Sequence, residues 1–161
     1  MTKFEQEIVK ILQEDGRASY KQIAEMLSAG EDKVKAAVEK LEKDGVILKY
    51  SAIVADDEFF GDTVQALIEV KVSPMKEKGY DEIAGYVSGF DEVKSLYLMS
   101  GAYDLAIFIE AKNLREVARF VSEKLSLINS VQSVATHFIL KKYKLSGTTI
   151  GAEKERLLIQ P

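Results

Sequence analysis

Two stretches of this chain, 34 residues apart, carry one pattern. Glu82-Ile83-Ala84-Gly85-Tyr86-Val87-Ser88 and Glu116-Val117-Ala118-Arg119-Phe120-Val121-Ser122 both read Glu, β-branched, Ala, any residue, aromatic, Val, Ser. A similar strand start follows each: Val93-Lys94-Ser95-Leu96 and then Val131-Gln132-Ser133-Val134. A helix and its following strand, met twice, mean that one β-α-β half is succeeded by another. Strands read at about 64–72, 93–99, 103–110 and 131–143, and helices at about 78–89 and 113–127. The helix stripes are Tyr80/Ile83/Ala84/Val87 and Leu114/Val117/Ala118/Val121. The order β-α-β-β-α-β predicts a ferredoxin-like sandwich, with both helices on one face of a four-stranded antiparallel sheet.

That arrangement leaves one sheet face without helices. Leu96-Tyr97-Leu98-Met99 and Leu105-Ala106-Ile107-Phe108-Ile109 are nevertheless apolar at consecutive positions. A half-exposed strand should alternate with polar residues, so the open face is expected to be an interface. A sheet-on-sheet homodimer is the preferred occupant. The alternative is a tail, 144–161, that folds back and adds Arg156-Leu157-Leu158-Ile159 as a short strand.

The first 50 residues have a different grammar. Phe4, Ile8, Ile11 and Leu12 mark one amphipathic helix by their 3.6-residue period, ended at Asp15-Gly16 where glycine tolerates a left-handed conformation. Ser19 and Gln22 form a capping box ahead of the stripe Tyr20, Ile23, Ala24 and Leu27. A third helix starts near Gly30 and buries Val34, Ala37, Val38 and Leu41. Asp44-Gly45 stops it, and the apolar run Val46-Ile47-Leu48 reads as a strand. Three short helices and a strand predict a winged helix-turn-helix, whose third helix enters a DNA groove. A plain three-helix bundle lacks the strand.

Charge constrains how such a domain holds DNA. Residues 1–50 contain nine Lys/Arg and ten Asp/Glu, and the whole chain carries −4. Phosphate contact normally supplies most of the affinity, so cations must be placed locally. Lys33, Lys35 and Lys40 are the leading candidates on the third helix. Arg17, Ser19, Tyr20 and Lys49 flank it as backbone contacts. Glu31 and Asp32 at its start suit the helix dipole and repel phosphate, although a carboxylate can accept from cytosine N4.

Other classes are excluded or unsupported. With no Cys and one His among 161 residues, disulfides, thiolate metal sites and His clusters do not arise. The acidic pairs Asp56-Asp57-Glu58 and Asp91-Glu92 read as solvated loop. There is no nucleophile with its base and no phosphate loop; Gly147–Gly151 is too short for one. No catalytic set and no cofactor is expected. A core is affordable at 47% hydrophobic residues, and no apolar run reaches the ~20 residues of a membrane span. A cytoplasmic protein with no membrane contact is expected.

Between the second and third strands lies Ser100-Gly101-Ala102-Tyr103-Asp104. A tight hairpin needs only the glycine. The same turn offers a carboxylate, a hydroxyl and backbone N–H groups that suit a small zwitterion. Residue chemistry leaves both readings open.

Taken together, the chain resembles the Lrp/AsnC family of feast/famine regulators over almost its whole length. The resemblance is carried by Ile8-Val9 with Leu12, Asp15-Gly16-Arg17 with Ser19, Leu41-Glu42, Gly45-Val46-Ile47, and Ser100-Gly101 with Tyr103-Asp104. It implies a winged helix-turn-helix at 1–50, a linker strand or hinge at 51–63, and a ferredoxin-like domain at 64–143 for ligand binding and oligomerisation. It implies a transcriptional regulator that binds double-stranded DNA, answers to an amino acid or related metabolite, and assembles as dimers into oligomers such as octamers. Carried over by position, Ser100, Gly101, Ala102, Tyr103 and Asp104 are effector-site residues, with Thr136 and His137 added from the last strand. Three departures stand out. The family usually has an acidic residue where Ala102 stands and Arg where Ala37 stands, and its Gly-Leu-Ser turn reads Leu27-Ser28-Ala29-Gly30 here. These keep a second reading in view: a metabolite-binding oligomeric sensor with weak or lost DNA binding.

Overall fold

The structure is a computed structural model and describes residues 1–54, 63–73 and 79–150. The chain divides into two compact units, Met1–Ile53 and Val54–Pro161. Asp56-Asp57-Glu58, most of the 51–63 linker and the tail strand at 156–159 lie outside the described residues.

The first unit holds three helices, α1 (Lys3–Glu14), α2 (Tyr20–Met26) and α3 (Glu31–Lys43). Both capping boxes in it are complete. Thr2 Oγ1 accepts the Glu5 N–H at 3.2 Å and Glu5 Oε2 accepts the Thr2 N–H at 2.6 Å. Ser19 Oγ accepts the Gln22 N–H at 3.2 Å and Gln22 Oε1 accepts the Ser19 N–H at 2.8 Å. Such caps each contribute about 1 kcal/mol. Ile8, Ile23, Val34, Val38 and Leu41 are at most 1% exposed and knit the three helices together. Full burial of one such side chain contributes about 1.5–3 kcal/mol.

The turns differ from expectation in two places. Gly16 is not left-handed; Ser28 is, with φ 49°. Around Ser28 the N–H of Ala29 reaches the Ala24 carbonyl and that of Ser28 reaches Glu25, which is a Schellman ending of α2. Gly45, at φ 70°, closes α3 the same way, with Val46 N–H on Leu41 O at 2.9 Å.

The expected strand at Val46-Ile47-Leu48 does not form among the described residues. Its backbone donors explain why: the N–H groups of Val46 and Ile47 both end on the Leu41 carbonyl. Ile47 then packs on the core while Leu48 stays 87% exposed. The Tyr50 hydroxyl donates to Glu42 Oε1 at 2.9 Å and lays the segment back along α3.

The second unit contains β1 (Val64–Val72), α4 (Gly79–Ser88), β2 (Val93–Leu98), β3 (Leu105–Ala111), α5 (Leu114–Phe120), a π-helical turn (Val121–Leu125) and β4 (Val131–Phe138). A small hairpin follows, β5 (Lys144–Leu145) with β6 (Thr148–Thr149). The sheet order is β2-β3-β1-β4, all antiparallel. This is the ferredoxin-like topology that the repeat predicted. β3 begins at Leu105 rather than 103, because Asp104 is held in the turn, and β4 stops at Phe138 rather than 143.

Alternation along the strands sorts the two faces. Ile68, Val70, Leu105, Ile107 and Ile109 meet Ile83, Val87, Val117, Phe120 and Leu125 in one core. Leu114, assigned to the second stripe from spacing, is 57% exposed. Val117 is buried as expected, Ala118 is exposed, Phe120 joins the core, and the π-turn carries the stripe on to Leu125. The opposite face bears Leu67, Glu69, Tyr97, Ala106, Phe108 and His137, paired across strands by register.

Candidate DNA-binding and effector sites

The exposed side of α3 carries the lysines that the sequence singled out, in three different situations. Lys33 Nζ lies 4.6 Å from the centroid of the Phe4 ring on α1. Lys35 makes only a loose pair with Glu39 at 4.0 Å, of a kind contributing about 0–1 kcal/mol. Lys40 is built into the domain: its ammonium sits 2.9 Å from Glu5 Oε1 and 3.4 Å from Asp44. Both Lys33 and Lys35 can turn to a phosphate at little cost, whereas Lys40 braces α3 against α1. Arg17 and Lys49 are exposed, and Arg17 N–H closes an Asx turn on Asp15 Oδ1 at 2.9 Å. Ser19 is occupied as the α2 cap, and Tyr20 packs against the helical core. Glu31 and Asp32 are exposed at the start of α3.

Glu5 shapes this site although no sequence spacing relates it to Lys40. It is 7% exposed, and Lys40 first, then the Thr2 backbone, hold its carboxyl well below the usual range, at about 2. The mutual bond with Glu5 raises Lys40 in turn.

In the second unit the β2–β3 turn is closed by Met99 N–H on the Asp104 carbonyl at 2.8 Å. Gly101 adopts φ 156° at its tip. Ser100, Gly101 and Ala102 are exposed, and Tyr103 and Asp104 are half-buried. Asp104 is the strut of this turn. Its N–H donates to the Val70 carbonyl at 3.0 Å. Oδ2 accepts the Val72 N–H at 2.8 Å, and Oδ1 accepts the Tyr80 hydroxyl at 3.2 Å. Burial first, then the Asp104 charge, pushes the Tyr80 phenol up. A carboxylate has about four acceptor positions, so Asp104 can still accept an ammonium while holding the turn. In the sequence Tyr80 belongs to an apolar stripe, and no local pattern relates it to a residue 24 positions away.

Thr136 and His137 are not joined to this turn within one protomer. β1 separates β4 from β3, a gap of ~10 Å at ordinary strand spacing. The two residues also lie on opposite faces. Thr136 is level with Ile68 on the helix side, while His137 pairs with Leu67 on the open side, its Nε2 3.5 Å from Glu69. A cleft of about 420 Å³ lies elsewhere, beside α4 and the π-turn, lined by Ile83, Tyr86, Lys124, Leu127 and Ser130 among others. Lys124 in it is held by Glu92 at 2.7 Å.

The Lrp/AsnC ligand binding domain family matches residues 65–149, and the winged helix-turn-helix DNA-binding family matches 1–47. The chain belongs to the Lrp/AsnC family. This regulator is 44% identical over 164 residues to the HTH-type transcriptional regulator YugG of Bacillus subtilis, covering 100% of this chain and 99% of that one. It is 34% identical to the HTH-type transcriptional regulator PH0140 of Pyrococcus horikoshii, over 82% and 81% of the two chains. Among solved structures, the transcriptional regulator NMB0573 of Neisseria meningitidis in complex with L-Met has the same fold. Its TM-score is 0.69 at 23% identity, over 96% of this chain and 99% of that one.

Membership makes this chain a transcriptional regulator built of a winged helix-turn-helix domain and a ligand-binding domain, in a family of regulators rather than enzymes. No helix among the described residues is long and apolar enough to cross a membrane. No group of three His, Cys, Asp or Glu among them is placed to hold a metal ion.

Proposed function

We propose that this regulator lays α3 in the major groove with Lys33 and Lys35 on phosphate, and binds an amino acid at the Ser100–Asp104 turn. The observation that carries the effector site is the turn itself. An exposed Ser-Gly-Ala tip stands beside a carboxylate whose position is held by Val72 and Tyr80. The carboxylate suits the ligand ammonium, and the backbone N–H groups of the tip suit its carboxylate. Thr136 and His137 are brought to such a site only by a second protomer, so the site is shared between copies.

The working unit is a cytoplasmic homodimer joined through the open sheet faces, and dimers assemble further, with an octamer as the family's usual size. Tyr97, 53% exposed and edge-on to Phe108 at 6.1 Å, with Leu67 supports that face as the contact. An amino acid bound between dimers favours one assembly over another, and DNA that prefers the same assembly is coupled to it.

The test is a thermal-shift screen of the twenty amino acids, L-methionine first, followed by titration of DNA from upstream of its own gene with each hit. A Tm shift together with a changed DNA affinity supports the reading. No shift with any amino acid overturns the effector site. A second reading, a sensor that does not engage DNA, is favoured by the pairing of Lys40 with Glu5 and Asp44 and by the exposed Glu31-Asp32 pair. Absence of DNA binding even at low salt would establish it.

A further inference from the structure

The charge of this chain is divided unevenly along its length. Residues 1–123 hold sixteen Lys/Arg against twenty-four Asp/Glu, a net of −8. Residues 124–150 contain Lys124, Lys141, Lys142 and Lys144 and no carboxylate. The helix-turn-helix domain, expected to hold DNA, has no cationic excess, and Lys40 is engaged within it. The carboxylate-free run of lysines is in the other domain, and of its four Lys124 is paired with Glu92.

Structure concentrates the other three at the end of the sheet. β4 is an edge strand, and the chain leaves it into the β5–β6 hairpin. Lys141 and Lys144 are exposed, and Lys141 Nζ stands 5.0 Å from the centroid of Tyr143, itself 71% exposed. The hairpin closes through Ser146 (φ 45°) and Gly147 (φ 85°), the two left-handed residues of a type I′ turn. Ser146, Thr148 and Thr149 present hydroxyls around it. Lysines with Ser, Thr and Tyr hydroxyls and no carboxylate are the side chains that contact phosphate and sugar rather than bases.

We infer that the 141–149 hairpin of the ligand-binding domain is a second, sequence-independent contact to the phosphate backbone of duplex DNA. It adds cations to a helix-turn-helix whose own Lys and Arg are balanced by carboxylates. Recognition by α3 sets the sequence, and the hairpin adds affinity that is the same for every sequence. The inference rests on the DNA-binding reading above, and charge complementarity to phosphate selects DNA as the occupant.

The test uses the full chain with Lys141→Gln/Lys144→Gln, titrated with its upstream DNA and with an unrelated duplex at several salt concentrations. Each lost phosphate contact lowers the slope of log K against log salt by about 0.9. The expected slope is therefore shallower by about 2 for both duplexes, with their affinity ratio unchanged and the oligomer size by light scattering unchanged. An unaltered slope while wild type binds DNA overturns the hairpin contact and leaves the role of α3 standing. A double variant that falls to a smaller oligomer assigns these lysines to contact between copies and overturns it as well. Wild type that binds neither duplex removes both readings together.

Discussion

Lys40 reaches across from α3 to Glu5 at 2.9 Å, so a residue on the helix proposed to read DNA is also the electrostatic brace between α3 and α1. Glu5 is lowered from the usual glutamate value of 4.5 to about 2. A carboxyl depressed on folding stabilises the fold above its unfolded pKa and loses that contribution as pH falls through the folded one. The brace is thus complete above about pH 4.5 and fades toward pH 2. Glu5→Gln is expected to lower the Tm at pH 7 and to flatten the pH dependence across that window. Calorimetry of the full chain between pH 2 and 7 checks it, and parallel curves for the two proteins would refute the brace.

The α3 lysines separate by what each already holds. Lys35→Ala should weaken DNA binding about equally for all sequences and lower the salt slope by roughly 0.9, as the loss of one phosphate contact requires. Lys33→Ala should do the same while also losing its contact with Phe4. Lys40→Ala should act first on Tm. Fluorescence anisotropy at three salt concentrations, with a melt of each variant, distinguishes these outcomes.

At the proposed effector turn, stability and ligand choice are expected to belong to neighbouring residues. Asp104→Ala removes the acceptor of the Val72 N–H and the Tyr80 hydroxyl. A donor left without its partner costs about 1–3 kcal/mol, which urea denaturation should reveal. Ala102 is exposed and touches no such network. Ala102→Glu should leave stability within about 0.5 kcal/mol and change which amino acid shifts the Tm. An Asp104→Ala protein as stable as wild type would remove the strut role.

The Ser28 turn carries a conformational cost that glycine avoids. A side chain at φ 49° costs roughly 1–2 kcal/mol in the left-handed region. Part of that gain is offset by the freedom glycine has when unfolded. Ser28→Gly should stabilise the helical domain by up to about 1 kcal/mol, read as a shift of the denaturation midpoint. A destabilised variant would mean that the Ser28 side chain contributes more than the strain it causes.

The open sheet face can be tested by charge. Leu67→Lys, or Tyr97→Lys, places an ammonium in the proposed dimer contact while leaving the helix-side core untouched. Light scattering at micromolar concentration should show dimers and larger species for wild type and monomers for the variants. Unchanged assembly in both variants would move the interface elsewhere.

Much of this protein was legible in its residues because the signals are local. The Ser19/Gln22 cap and the stripe Ile23-Ala24 need only one helical turn to be read. The paired β-α-β halves need only a repeat, whereas Leu105–Ile109 is apolar at every position, so its residues alone do not say that Ile107 and Ile109 face the helices. Tertiary structure decided what depends on competing partners. Val46 and Ile47 have strand-forming side chains, yet their N–H groups are captured by the Leu41 carbonyl, so no strand forms there among the described residues. Lys40 looks identical to Lys35 in sequence, and only the packing of α1 beside α3 puts Glu5 within reach of one and not the other. Asp104 reads as a ligand-binding carboxylate, but the fold places Val72 and Tyr80 against it. It also places β1 between β4 and β3, which sets Thr136 and His137 apart from that turn. Periodicity sets which side a residue faces; which charge or donor it meets there depends on chain segments distant in sequence.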